Sequence, residues 1–406
     1  MRSERVSQLS AVGGDDLHQE VQGVGGMSWK RARLAEITSM KTGKLDSNAA
    51  VEGGTYPFFT CSQQTFRIDT PAFDTKAVLL AGNNAAGIFP LKYYEGQFNA
   101  YQRTYVIESL DPEILNIRFL YYALRPALSH FQSASIGAAT QYLTKKILDN
   151  FPVNLPPISE QHRIASTLSA YDDLIENNRR RIQLLEEAAR LLYREWFVHL
   201  RFPGHEHVAI KDGVPEGWEK KTLVEIAATN VESYKASALP DIINYIDISS
   251  VKQGRIINKN TMPSSEAPGR ARRKARPGDI IWSNVRPNLR AFALIPDPEE
   301  NDVFSTGFTV ISPITVPFTY LYLFVTTDEF VGHLVNHTTG ASYPAVRPED
   351  FERAIVLVPP KQMLELFNEK AEPIYKFISV LEEEMKLLAQ ARDLLLPRLM
   401  NGEIAV

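Results

Sequence analysis

The chain has 406 residues, 44% hydrophobic and 23% charged, which is the balance of a soluble globular protein and more length than one ordinary domain needs. Its net charge of -4 argues mildly against a nucleic-acid partner. A single cysteine, Cys61, excludes an internal disulfide or a thiolate zinc cluster, and no run of 18 apolar residues is present to span a membrane. A cytoplasmic location follows by default, and Cys61 reads as a buried small residue.

Residues 1–26 hold the acidic pair Asp15 and Asp16 and no continuous apolar stretch, which fits a loose tail and not a signal peptide. From 27 to 157, short apolar runs such as 77–80 alternate with Gly, Pro and Asn clusters, the pattern of strands and turns in an α+β domain. Leu155-Pro156-Pro157 opens a long helical pattern over 158–202, which Pro203-Gly204 breaks. A polar, turn-rich linker occupies 203–216 and includes His205-Glu206-His207, which reads as solvated. A second α+β domain spans 217–358, with a strand-like run at 279–282, and a second long helix covers 359–406.

The chain is thus one unit written twice. Pro156-Pro157 and Pro359-Pro360 lie 203 residues apart, and the same offset pairs Gly137-Ala138 with Gly340-Ala341, Leu184-Leu185 with Leu387-Leu388, and Leu191-Leu192 with Leu394-Leu395. Upstream the match loosens: Asn83 corresponds to Asn284 at an offset of 201 and Trp29 to Trp218 at 189, so insertions lie within the globular parts.

Each helix carries a heptad seam. In the first, Ile164, Leu168, Tyr171, Ile175, Asn178, Ile182, Leu185, Ala189, Leu192 and Trp196 fall at alternating steps of four and three. Adding 203 gives Phe367, Ala371, Ile374, Ile378, Leu381, Met385, Leu388, Arg392, Leu395 and Leu399, of which only Arg392 is out of character. Two matching seams, each about 48 Å long at 1.5 Å per residue, most simply pack on each other. Related by a pseudo-two-fold axis, they would form an antiparallel coiled coil with the domains at opposite ends. Asn178 either sets the register of the pair or marks a solvated helix end, and Pro373 is expected to kink or weaken the second helix near its start.

The net charge hides a segregation. Residues 252–290 hold ten Lys or Arg (252, 255, 259, 270, 272, 273, 274, 276, 286 and 290) against Glu266 and Asp279, whereas 361–393 hold five basic and seven acidic residues. Catalytic patterns are missing. Asn154-Leu155-Pro156-Pro157-Ile158 lacks both the adjacency and the aromatic ring of an aminomethyltransferase motif, and Gly43-Lys44 lacks the first glycine of a phosphate-binding loop. His333 and His337 could face one side of a helix, but neither the Glu of a zinc motif nor a third ligand accompanies them.

At this point a family resemblance becomes plain. The segment Leu155-Pro156-Pro157-Ile158-Ser159-Glu160-Gln161-His162-Arg163-Ile164-Ala165, with the helix running on to Trp196-Phe197, resembles the central conserved region of type I restriction-modification specificity subunits. Leu394-Leu395-Leu396-Pro397-Arg398-Leu399-Met400-Asn401-Gly402-Glu403-Ile404 is similar to their C-terminal conserved region. The stretch Gly137-Ala138-Ala139-Thr140-Gln141-Tyr142-Leu143-Thr144-Lys145-Lys146 and the segment Ser305-Thr306-Gly307-Phe308 resemble what closes or lines their target-recognition domains. The resemblance covers the chain from about Ser28 onward; the second domain departs by having Ser342-Tyr343-Pro344 near the place of Thr140-Gln141-Tyr142.

The resemblance implies a non-catalytic subunit with two target-recognition domains, each reading one half of a split double-stranded DNA site, and a helical pair that docks methyltransferase subunits. Motor-nuclease subunits would join the same complex. S-adenosylmethionine, ATP and magnesium would be used in those partners, leaving this chain with no cofactor and no metal. Reading DNA requires Arg and Lys for phosphate and guanine, and Asn, Gln, Ser and Thr for base edges. The candidates in the first domain are Asn83, Asn84, Lys92, Tyr93, Asn99, Gln102, Arg103, Gln141, Tyr142 and Lys145. In the second they are Arg270, Arg272, Arg273, Lys274, Arg276, Asn284, Arg286, Asn288, Arg290, Tyr343 and Arg347, because the basic run 270–276 contains no interleaved acid.

Overall fold

A computed structural model describes residues 21–22, 28–85, 87–340 and 343–404. The chain divides into two compact units, Met1–Asn177 with Met385–Val406, and Asn178–Glu384. Each unit therefore takes part of both long helices.

The first unit is built on a six-stranded sheet. Its strands are β1 (Thr38–Thr42), β2 (Tyr56–Phe59), β3 (Phe66–Ile68), β4 (Phe73–Ala81), β5 (Leu91–Ala100) and β6 (Thr104–Ser109), in the order β1-β6-β4-β5-β2-β3. All neighbours are antiparallel except β2 and β5, which run parallel with Phe58 opposite Asn99. In β4, Val78 and Leu80 pack into a core with Ile107 and Leu120, while Ala77 and Leu79 pack on the other face with Phe98 and Val106. A central strand covered on both faces reads as a continuous apolar run, which is why 77–80 does not alternate. The first core is completed by α1 (Ile117–Leu124), capped by the Asn116 carboxamide, which accepts from Arg118 and Phe119 N–H, and by α2 (Leu128–Ala134).

The second unit has two four-stranded sheets. Its main strands are β7 (Ala227–Thr229), β8 (Ile242–Ile246), β9 (Asn260–Pro263), β10 (Ala271–Arg273), β11 (Asp279–Ser283), β12 (Phe292–Ile295), β13 (Asp302–Ser305) and β14 (Phe308–Pro313). The sheet orders are β7-β14-β11-β12 and β9-β8-β13-β10, with β8 and β13 parallel. Trp282 on β11 is fully buried, and its indole N–H donates to Val325 O at 3.0 Å.

The repeat is visible in how each unit is tied. Strand Ser28–Arg33 pairs with Pro152–Leu155, and strand Glu219–Thr222 pairs with Ile355–Val358. In each, a four-residue helical turn follows, anchored by Leu34 N–H to Phe151 O in the first unit and by Leu223 N–H to Ala354 O in the second, both at 2.9 Å. The acceptors Phe151 and Ala354 stand 203 residues apart, the offset of the sequence repeat. Within the expected tail, Val21–Gln22 pairs with the Ser28–Arg33 strand; positions 1–20 and 23–26 lie outside the described residues.

The long helices are α3 (Ile158–Tyr193), which continues into a π turn at Arg194–Val198, and α6 (Lys361–Met400); between them lie α4 (Phe318–Val325) and α5 (Asp328–Asn336). In the first unit Ile164 and Leu168 share a core with Leu396 and Leu399, and Asp172 meets Arg392 at 2.5 Å. In the second unit Asn178 donates to Glu384 at 3.1 Å, and Trp196 packs on Phe367 with ring centroids 5.7 Å apart. In each unit the partner number falls as the α3 number rises, so the seams pair antiparallel, as expected of a pseudo-two-fold repeat.

Two details of the helices differ from expectation or decide between alternatives. Asn178 is buried, which excludes a solvated helix end, and α6 runs unbroken through the exposed Pro373. Arg392 is reconciled with its seam position by ion pairs to Asp172 and Asp393.

Candidate nucleic-acid interface

Both units close a loop in the same way. In the first, Ile136 and Tyr142 exchange backbone hydrogen bonds of 3.0 and 2.8 Å across residues 137–141. Gly137 has φ +133°, and a Cβ there would stand 2.0 Å from Thr140 O, so only glycine fits. Gln141–Tyr142 then pairs with Asn83–Asn84, Tyr142 opposite Asn83. In the second, Thr339 and Ala345 exchange bonds of 2.9 and 3.0 Å, Gly340 has φ +92°, and Ala345 bridges Val285. The closing residues Ile136 and Tyr142 become Thr339 and Ala345 at an offset of 203. The bridges therefore place Asn83 opposite Val285 in the repeat, one residue beyond the match with Asn284 read from the sequence.

The first-unit candidates separate by what their side chains already do. Asn99 is 4% exposed, donates to Thr70 O and accepts from Ala100 N–H, both at 2.9 Å, so it braces a loop. Lys92 donates to Ser62 O, Gln64 O and Thr65 Oγ1 at 3.1 Å each, and burial pulls its ammonium down to about 8. Tyr93 donates to Glu95 and carries Arg118 over its ring; burial, and then the Glu95 charge, push its phenol up to about 12. Gln141 is spent inside the loop on Gly137 O and Ser135 Oγ, and Lys145 pairs with Asp149 at 2.7 Å. Asn83 Oδ1 accepts from the Cys61 thiol at 3.0 Å; Cys61 is half-buried, more exposed than expected. At the surface around this loop stand Gln102, Arg103 and Tyr142, with the Arg103 guanidinium 5.4 Å above the Tyr142 ring; Asn84 lies beside them.

In the second unit the fold brings an acid to the basic run that sequence spacing could not reveal. Glu232, about forty residues upstream, pairs with both Arg276 and Lys274, and these cations hold its carboxyl below the usual range. Lys274 also lies 4.8 Å over the Tyr234 ring. Arg273 is half-buried and donates to Ser233 Oγ, and Arg272 turns back to Ala271 O. Only Arg270 of the run projects an exposed side chain with no acceptor among the described residues.

After β11 the chain makes a strained turn. Arg286 (φ +48°) and Arg290 (φ +54°) adopt left-handed backbone on either side of the short turn Pro287–Leu289. Such conformations cost bulky residues roughly 1–3 kcal/mol each and are kept where the surroundings fix them. Here Arg286 N–H donates to Pro344 O and Val346 N–H to Asn284 O, both at 2.8 Å. Asn284 is occupied by Thr309 Oγ1 at 2.7 Å, and Arg290 is paired with Asp328. Arg286, Asn288, Tyr343 and Arg347 remain exposed, with the Arg286 guanidinium 5.2 Å over the Tyr343 ring.

Other chemistry is not assembled. His333 Nε2 contacts Asp350 O and His337 Nδ1 contacts His333 O, which uses one ring nitrogen of each. Among the described residues no group of three His, Cys, Asp or Glu could hold a metal, and no helix is long and apolar enough to cross a membrane.

Residues 27–187, which span the first unit's sheet, its closed loop and most of α3, match the family described as "Type I restriction modification DNA specificity domain". The chain is 28% identical over 414 residues to the type I restriction enzyme EcoDI specificity subunit of Escherichia coli, covering 93% of this chain and 89% of that protein. It is 24% identical to the MjaIX specificity subunit of Methanocaldococcus jannaschii, covering 71% of this chain and 69% of that one. The crystal structure of a type I restriction-modification system S subunit from M. genitalium shares the fold, with a TM-score of 0.60 at 18% identity over 91% of this chain and 96% of that one. The chain is thus similar along most of its length to type I restriction-modification specificity subunits, and it matches their specificity domain over residues 27–187.

Proposed function

We propose that this subunit reads a split double-stranded DNA target, one half-site per unit, and positions methyltransferase and motor-nuclease subunits that carry the chemistry. The observation that carries this reading is the loop closed twice at an offset of 203 while its surroundings diverge: Gln102, Arg103 and Tyr142 in one unit, Arg286, Asn288 and Tyr343 in the other. A common frame with different reading groups suits a target whose halves differ. S-adenosylmethionine, ATP and magnesium belong, in this reading, to the partners.

The methyltransferase surface lies on the long helices. Leu184, Leu191 and Val198 follow one another at seven-residue steps off the seam of the second unit and are 66%, 43% and 45% exposed. A solvent-facing apolar stripe on an already paired helix suits a further protein partner. The test is methylome sequencing of cells expressing the chain with its matched methyltransferase, beside the purified chain alone. A split methylated motif in the cells and no methyl transfer by the isolated chain are expected. Methylation by the demonstrably partner-free protein, or an unsplit motif, overturns the reading.

A further inference from the structure

We propose that the Arg103–Tyr142 and Arg286–Tyr343 stacks are the guanine-reading elements of the two units, each guanidinium taking the N7 and O6 edge of one guanine in its half-site. This rests on the reading of the units as half-site readers.

Three observations converge on these two arginines. Most other cations of the candidate surfaces are committed: Lys145 to Asp149, Lys274 and Arg276 to Glu232, Arg290 to Asp328, and Lys92 to three oxygens. Arg103 and Arg286 have no carboxylate or other side-chain acceptor among the described residues, only the face of a tyrosine that is itself 37% or 62% exposed. A guanidinium held over a ring face, with no acceptor on its N–H groups, keeps those donors for a ligand and loses less rotamer freedom when it binds. That is the requirement for a bidentate contact with the N7 and O6 edge of guanine.

The third observation is that the two stacks are not copies. The loops that carry them are equivalent at 203, but adding 203 to Arg103 reaches Thr306, and Tyr343 stands 201 residues after Tyr142. Arg103 comes from the turn between β5 and β6, while Arg286 comes from the strained turn after β11. The same arrangement reached from different chain positions is a functional requirement of the loop, and no inheritance of the repeat explains it. Tyr142 and Tyr343 are accordingly positioning residues, acting through the arginine they support.

The experiment uses the chain assembled with its methyltransferase and duplexes bearing its motif, each guanine replaced in turn by 7-deazaguanine, which lacks only N7. One guanine in each half-site is expected to weaken binding about tenfold when replaced. Arg103→Met should abolish that sensitivity in one half-site only and Arg286→Met in the other, each relaxing one G·C position of the methylated motif. Tyr142→Ala should reproduce the Arg103→Met pattern, and Tyr142→Phe should retain the wild-type pattern. Indifference of the wild type to every 7-deazaguanine, or Met variants that keep the full motif and the sensitivity, overturns the assignment. The substituted DNA meets unaltered protein, so misfolding of a variant cannot produce that first result. If the wild-type complex yields no split motif at all, the half-site reading fails and this assignment falls with it.

Discussion

Replacing Arg392 by Ala tests how the charged step in the helix seam is held. The Arg392 side chain is 12% exposed and Asp172 25%, and Asp172 also accepts from the Tyr122 hydroxyl at 2.7 Å. Breaking a fully buried ion pair costs about 3–5 kcal/mol, and an exposed one about 0–1. With these accessibilities, and with Tyr122 still satisfying one carboxylate oxygen, Arg392→Ala is expected to cost roughly 2 kcal/mol. For a unit of about 200 residues that lowers the melting midpoint by roughly 4–8 °C, read by calorimetry of the full chain. The repeat supplies the control. At the equivalent positions, 203 residues away, the second unit has Ala189 and Tyr375, both buried. The double variant Asp172→Tyr with Arg392→Ala installs that pair and removes the carboxylate that has lost its nearest cation, so it should recover at least half of the loss. A single variant melting within 1 °C of wild type, or a double variant no better than the single, refutes the argument.

Glu232→Gln releases Lys274 and Arg276, and the variant should bind any duplex more tightly at low salt, with a salt slope steeper by up to about 2; an unchanged slope means the basic run is a solvated face. Leu184→Glu with Leu191→Glu should leave the melting curve of the chain intact and abolish co-purification of the methyltransferase. Lys92 sets a pH dependence: the native ammonium loses its proton near 8 and the unfolded one near 10.5, so between those values the unfolded state binds more protons and stability rises with pH. Lys92→Met should flatten that rise in a chemical-denaturation series. Asn178→Leu fills a buried seam position with an apolar side chain and frees the exposed Glu384, and should raise the melting midpoint by a few degrees.

The seam was legible because a heptad is local: each residue from Ile164 to Trp196 announces its face by spacing alone, and the same stripe recurs 203 residues on. Even Arg392, which broke the pattern, was marked by being the exception. The contact residues were legible only as types. Asn99 and Gln102 stand three positions apart in one polar stretch, yet one is buried in a brace and the other faces solvent, a difference set by the parallel pairing of β2 with β5. Nothing in the spacing of 270–276 foretells Glu232, whose side chain arrives from a separate segment and pairs with two of the five cations in what looked like an uninterrupted charge run. The Arg–Tyr stacks were hidden for the same reason, since each joins residues tens of positions apart through a bridge that only the folded loop creates.

The two halves of the chain divide labour in a way that their unequal likeness explains. A helix seam tolerates few spacings, because each heptad position must meet a fixed partner, so the repeats keep the same ten positions and identical residues at Ile175–Ile378, Leu185–Leu388 and Leu192–Leu395, while at a step such as Asp172–Arg392 against Tyr375–Ala189 a charged and an apolar pair fill one place. A closed loop needs only its glycine and its backbone bridge: Gly137 with Ile136 and Tyr142, Gly340 with Thr339 and Ala345. Everything between and around those fixed points is free to change without loosening the fold. The strained Arg286 shows the limit of that freedom, because its left-handed backbone is held in place by the bond from its N–H to Pro344 O, beside the bridge that closes the loop.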